Sequence, residues 1–252
     1  MKIVPIPAFY DNYIWLIVNE NQQAFCVDPG DAEPVFLYLQ QNNLTLTAII
    51  LTHHHHDHIG GVAKLSAANP GLDVFGPEDP RIPFVNHPLN NGDELLIDSC
   101  RFEIINTPGH TSTHISLYEP KLGWLFCGDT LFSAGCGRVF DGTIEALHKS
   151  LQTLKALPDK TKVFCAHEYT QNNLRFASVI EPDNLVIRNY AQQLSMNENA
   201  CSLPSSIERE KQINPFFRTE VPEVQTYAKH RGCLKNDSLS VFQQIRADKD
   251  KF

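Results

Sequence analysis

Between Leu51 and Gly61 the chain reads LTHHHHDHIGG, with five histidines and one aspartate in six consecutive positions. The run is internal, broken by Asp57 and closed by Gly60 and Gly61, so it is no affinity tag, which would be terminal and uninterrupted. Imidazole nitrogens and carboxylates together suit zinc, iron or manganese. If the backbone stays extended, alternate side chains share a face, so His53 and His55 point at one ion while His54 and His56 point elsewhere. Asp57 and His58 follow as the chain turns into a helix, in reach of a second ion.

Three later places repeat the theme of an apolar stretch ending in a metal donor: TPGH at His110, CGDT at Asp129 and CAHEY at His167. Loops at strand ends can converge on one sheet edge and gather ligands distant in sequence. His53, His55, Asp57, His58, His110, Asp129 and His167 make seven donors. That is too many for one four-coordinate ion and suits two ions sharing a carboxylate, for which Asp129 is the natural bridge. His54 and His56 are expected to be supporting or packing residues, and His87, His114, His148 and His230 ordinary polar ones. Asp28 begins an Asp-Pro-Gly turn that either braces the metal loops or is only a turn.

The elements that must position these donors read as alternating strands and helices. Residues 13–18, 24–28 and 46–53 read as strands, the last running into the histidines. Residues 32–43 read as a helix with Pro34 in its first turn and Val35, Tyr38 and Leu39 on one face. A short helix stopped by Pro70 and Gly71 precedes the strand LDVFG. Two strand pairs follow around polar turns, then a helix with Thr143 as N-cap and Pro158 as stop, then the strand KVFCAH ending on His167. Beyond residue 168, QNNLRFASVI, NLVIRNYAQQLSM and DSLSVFQQIRADKD have helical spacing. The expectation is a mixed α/β domain over 1–168 and a smaller helical domain over 169–252.

At 252 residues the chain can build a substantial core without staples. Its apolar runs are too short to span a membrane, and no secretory signal is evident at the start. Seven scattered cysteines without a CxxC pair fit a reducing compartment, so a cytoplasmic location is expected. The formal charge of −8 argues against nucleic acid as a partner, and an anionic ligand would need a local basic cluster. A monomer without membrane partners is expected.

The pattern T-H-x-H-x-D-H at Thr52, His53, His55, Asp57 and His58, with VDPG at Asp28, TPGHT and CGDT in order, resembles the metallo-β-lactamase superfamily. The resemblance implies an αββα sandwich carrying a dinuclear site, and the seven donors match its ligand positions. It narrows at AGCGR (134–138), HEYTQNNLRFA (167–177), NPFFR (214–218) and the ending IRADKD, which look like the glyoxalase II family. That family resemblance implies hydrolysis of S-D-lactoylglutathione to D-lactate and glutathione, with two divalent ions, zinc first and iron or manganese as alternatives. It implies attack by a metal-bound hydroxide, with Asp57 and Asp129 as the catalytic carboxylates that position it. By matched position, Arg138, Tyr169, Arg246 and Lys249 would contact the glutathione thioester. Arg138 stands where many members carry lysine, and Phe140 where many carry tyrosine. The alternatives are a glutathione persulfide dioxygenase of the same superfamily and a non-catalytic metal-binding sensor.

Overall fold

The computed structural model describes residues 1–196 and 200–252. The chain folds as two compact units, Met1–Thr107 with Thr113–Gly128, and Pro108–Ser112 with Asp129–Phe252.

The first unit holds β1 (Lys2–Ala8), β2 (Asn12–Val18), β3 (Gln23–Val27), α1 (Ala32–Gln41), β4 (Thr45–Ile50), α2 (His56–Ile59), α3 (Val62–Ala68), β5 (Asp73–Pro77), β6 (His87–Leu89), β7 (Glu94–Ile97), β8 (Cys100–Asn106), β9 (Ile115–Glu119) and β10 (Trp124–Gly128). Strands β1 to β6 form one sheet in chain order, antiparallel through β3 and parallel from β3 onward. Strands β7 to β10 form an antiparallel run in chain order.

Period-two alternation splits the inner strands between two apolar faces. Ile14, Leu16, Ala24 and Cys26 cluster with Val35 and Leu39 of α1 and Val62 and Leu65 of α3. Phe25, between Ala24 and Cys26, turns the other way and meets Phe102 of β8 edge-on at 6.1 Å. Helix α1 starts as the sequence predicts, Asp31 accepting from the Glu33 N–H and Val35 and Leu39 buried.

Strand β4 stops at Ile50, three residues before the expected end at His53. The Thr52 N–H goes to the Asp28 side chain at 2.8 Å, and the Thr52 carbonyl accepts from Ile115 N at 3.0 Å. Those bonds leave nothing for a sheet ladder, so the histidines leave β4 on irregular backbone. His55 is still extended (φ −62°, ψ 145°) as the N-cap of α2.

The second unit holds β11 (Leu131–Phe132), β12 (Gly135–Cys136), α4 (Ile144–Lys155), β13 (Lys162–Cys165), α5 (Thr170–Ile180), α6 (Leu185–Ser195), β14 (Ser205–Ser206), α7 (Ile207–Ile213), α8 (Pro222–His230) and α9 (Ser238–Lys249). Thr143 caps α4 through Ala146 N, as its spacing predicts. Strand β13 ends at Cys165, short of His167. Helices α7 and α8, outside the three stretches of helical spacing, begin at a Ser206 cap and at Pro222, where a first turn tolerates proline.

The sequence boundary after residue 168 lies inside this unit, because polar bonds tie both sides of it together. Lys155 Nζ donates to the Phe217 carbonyl at 2.6 Å, and Ile207 N to the Thr161 carbonyl at 3.0 Å. The β11–β12 turn is held from several sides. Glu210, fully buried, accepts from Ser133 Oγ (2.9 Å), Ala134 N (2.8 Å), Asn214 Nδ2 (3.0 Å) and Ser205 Oγ. Asn214 Nδ2 also donates to the Phe132 and Gly135 carbonyls, at 3.1 and 2.9 Å, and Asn173 Nδ2 donates to the Ser133 carbonyl at 3.0 Å. This network holds Ala134 at φ 55°, a left-handed backbone that an alanine adopts only under constraint.

Candidate metal centre

In the first unit the donors lie on the segment from Ile50 to α2. His53 and His58 are fully buried, while His55 and Asp57 are partly open. His53 Nε2 and His55 Nδ1 approach to 3.1 Å, so the pair shares a face as alternation predicts. His58 Nε2 lies 3.5 Å from Asp57 Oδ2. Asn12 Nδ2 donates to the same Asp57 oxygen at 3.0 Å. Gly30 allows this packing, since a Cβ there would stand 1.8 Å from the Asp57 carbonyl oxygen.

His53 and His58 are each braced through the other ring nitrogen. Asp28 Oδ2 receives His58 Nδ1 at 3.0 Å and Thr52 Oγ1 at 2.7 Å, while Asp28 Oδ1 receives Thr52 N. Thr52 Oγ1 lies 3.0 Å from His53 Nδ1. Asp28 is therefore a brace for the loop rather than only a turn residue. His114, which sequence reading treats as an ordinary polar residue, is fully buried and stacks on the His53 ring at 4.8 Å and 24°, its Nδ1 3.0 Å from Thr107 Oγ1. Nothing in its spacing marks it. Asp79 lies 3.9 Å from His54 Nδ1, and its hydrogen bonds to Arg81 hold its carboxyl far below the usual range. His56 is exposed.

In the second unit His110, Asp129 and His167 are all buried and adjacent. The Asp129 oxygens face different rings: Oδ1 is 3.3 Å from His167 Nε2, and Oδ2 is 3.4 Å from His110 Nε2. His110 Nδ1 donates to the Arg138 carbonyl at 2.8 Å, which leaves Nε2 as the donor to a metal. Gly137 makes room for this turn, since a Cβ there would be 2.1 Å from the Asp129 carbonyl oxygen.

The donor spacings test the fit to an ion. Two ligands about 2.1 Å from a tetrahedral ion stand roughly 3.4 Å apart. The four donor pairs, at 3.1, 3.5, 3.4 and 3.3 Å, have that edge length. All four are longer than a good charge-assisted hydrogen bond of about 2.7–2.9 Å. Residues and spacings both fit divalent metal.

Asp28→Asn tests the brace cleanly, because asparagine tolerates the left-handed φ of 54° found there. Its amide nitrogen cannot accept where a carboxylate oxygen did. Metal retention during dialysis against graded chelator is expected to weaken by about ten- to a hundred-fold.

The four residues matched to substrate all lie in the second unit, in different states. Arg138 is exposed, with Asp250 Oδ1 3.6 Å from its Nε. Tyr169 stacks on the His167 ring at 4.7 Å and 10°. Arg246 is buried: one terminal nitrogen donates to the Cys136 carbonyl at 2.9 Å, the other to Asp250 at 3.0 Å, and the guanidinium lies 5.2 Å from the Phe216 ring centroid. Its first task is to hold the loop after β12. Lys249 Nζ donates to the Asn172 carbonyl at 3.3 Å. Phe140, largely exposed, sets its ring edge-on to His110 at 5.2 Å.

A family model described as Metallo-beta-lactamase superfamily matches residues 9–167, and one described as Hydroxyacylglutathione hydrolase C-terminus matches residues 168–252. A protein of Legionella pneumophila (strain Corby) named hydroxyacylglutathione hydrolase is 54% identical over 253 residues, covering 100% of both chains. Hydroxyacylglutathione hydrolase 2 of Vibrio vulnificus (strain YJ016) is 47% identical over 254 residues, also covering 100% of both. Among solved structures, ETHE1 from Myxococcus xanthus matches with a TM-score of 0.65 and 28% identity, over 85% of this chain and 84% of that one. TTHA1623 in a di-iron-bound form matches at 0.62 and 25%, over 86% of this chain and 100% of that one. The fold is the metallo-β-lactamase αββα sandwich with an added C-terminal helical region.

Proposed function

The chain belongs to the hydroxyacylglutathione hydrolases of the metallo-β-lactamase superfamily, and from this we propose that it hydrolyses S-D-lactoylglutathione and related 2-hydroxyacylglutathione thioesters, the second step of methylglyoxal detoxification. His53, His55, Asp57 and His58 in one cluster, and His110, Asp129 and His167 in the other, would hold two divalent ions, zinc first and iron or manganese as alternatives. The observation that carries this reading is the set of four donor pairs spaced as ligands of one ion are spaced. Asp129, with one oxygen toward each histidine, would serve as the carboxylate shared between the ions.

Bound divalent ions supply Lewis-acid polarisation of the thioester carbonyl and activation of water near neutral pH. The chain's residues do the rest. Asn12 orients Asp57, Asp28 orients His58, and the Arg138 carbonyl orients His110. As the acyl–sulfur bond breaks, the electron pair leaves on sulfur. A thiol of pKa about 8.5 departs as thiolate without strong acid help. Arg138, Lys249 and Tyr169 hold the glutathione portion, and Arg246 shapes the loop beneath them while contributing charge.

Residues 1–168 are proposed as the metal-binding part and 169–252 as the substrate-binding part, a division supported by family-model matches over 9–167 and 168–252. The match of residues 168–252 supports a hydrolase over a persulfide dioxygenase. All seven cysteines are free, which supports the cytoplasm, where we place the enzyme as a monomer. No helix among the described residues is long and apolar enough to cross a membrane.

The test is S-D-lactoylglutathione hydrolysis with metal content measured before chelation, after it and after restoration. Turnover that falls and returns with about two ions per chain is expected. No turnover at full loading overturns the substrate. Lys249→Ala is expected to raise KM about ten-fold, the loss of about 1.4 kcal/mol of binding shared by ground and transition states, with kcat within about two-fold.

A further inference from the structure

Lys249, on the last turn of α9, ends between two phenyl rings. Its Nζ lies 5.3 Å from the ring centroid of Phe176 on α5 and 5.1 Å from that of Phe252. The two rings meet edge-on at 5.3 Å and 62°. Both distances fall inside the roughly 6 Å over which a ring face attracts an ammonium group. The Asn172 carbonyl, also from α5, accepts one of the three N–H bonds. Phe176 is fully buried and fixed, whereas Phe252 is 58% exposed.

A lysine on an open helix face samples many rotamers, and ordering them is part of the cost of binding a carboxylate. Held by two rings and a carbonyl, Lys249 is ordered before any ligand arrives. We propose that Phe252 is a positioning residue which, with Phe176, clamps the Lys249 ammonium in place as the carboxylate-binding cation of the thioester site. This rests on the reading of Lys249 as a substrate contact. A clamp of this kind admits an anionic peptide thioester and gives nothing to a neutral thioester of similar acyl group.

The clamp has a titration signature. Burial, then the positive charges of Arg246 on α9 and Arg138 beyond β12, lower Lys249 from 10.5 to about 8, with Cys136 opposing. Helix α5 presents a neutral carbonyl and a ring to it. As pH rises through about 8 the ammonium is lost, so KM is expected to rise with pH while kcat holds.

The experiment uses the metal-loaded full-length enzyme with Phe252→Ala, Phe252→Tyr and Lys249→Ala. KM and kcat are followed from about pH 6.5 to 9.5, and Lys249 is titrated by NMR of 13Cε-labelled lysine without substrate. Phe252→Ala is expected to raise KM about five-fold near pH 7 with little change in kcat. It should also move the Lys249 midpoint away from about 8, because the ammonium loses both the ring's attraction and its cover from water. Phe252→Tyr should behave as wild type. Raised KM in Lys249→Ala, with wild-type KM and midpoint in Phe252→Ala, overturns the clamp alone. Unchanged KM in Lys249→Ala overturns the substrate reading of Lys249 and the proposal with it.

Discussion

Replacing Asp129 with alanine is expected to lower kcat/KM for S-D-lactoylglutathione by about a thousand-fold, equivalent to about 4 kcal/mol, with loss of about one ion per chain. The effect is large because one side chain serves two rings. Its oxygens stand 3.3 and 3.4 Å from His167 and His110, and the three residues together are buried. Without it, two neutral imidazoles remain with no negative charge between them to balance a dication. Asp129→Asn is the companion variant, keeping the side-chain volume while removing the charge. Both are expected to fold, and an unchanged near-ultraviolet circular dichroism spectrum is the check on that. An alanine variant that keeps two ions and more than about a tenth of the activity would exclude Asp129 as a bridging ligand.

The second large effect is on stability. Glu210→Ala is expected to cost about 4 kcal/mol in urea unfolding, because the Ala134 N–H and the Asn214 amide lose a buried acceptor, each at about 1–3 kcal/mol, and two hydroxyls lose theirs. Glu210→Gln is expected to cost less than about 1 kcal/mol. Its oxygen can face Ala134 N and Asn214 while its NH2 faces Ser133 and Ser205, whose hydroxyls rotate to accept.

The pH dependence separates the two further. Burial raises Glu210 above its ordinary value of 4.5, while its four donors pull it back. A carboxyl raised on folding binds its proton more tightly in the folded state. Its contribution is therefore complete below the unfolded value and is lost as pH rises through the folded one. Wild type should show that decline, and the glutamine variant should not. Equal urea midpoints for wild type and Glu210→Ala would remove the network from the account of how the turn after β11 is held.

The same contacts bear on how the helical region is tested. A cut after residue 168 would remove Leu174, Ala177, Ile187 and Ile213, which form a buried core cluster of the second unit with Ala134. Lost activity would then report lost folding. Point substitutions at Lys249 and Phe252 avoid this.

Local sequence by itself determined the donor types, their order and the alternation that brings His53 and His55 together. It also determined the helix starts at Asp31 and Thr143 and the two-faced strands of the first sheet. These features repeat at short range, through a period of two, a capping oxygen or a ligand spacing, so a reader of the chain can see them. Only the tertiary structure decided that Asp28 braces His58 thirty residues on, and that His114 stacks on His53. It likewise decided that Arg246 turns inward to the carbonyl of Cys136 and that Phe252 closes over Lys249. A buried polar group takes whichever partner the fold delivers, and the free energy of leaving it unpaired makes that partner obligatory. The need for partners is written in the residue types; which partner meets it is decided by contacts that no local period records.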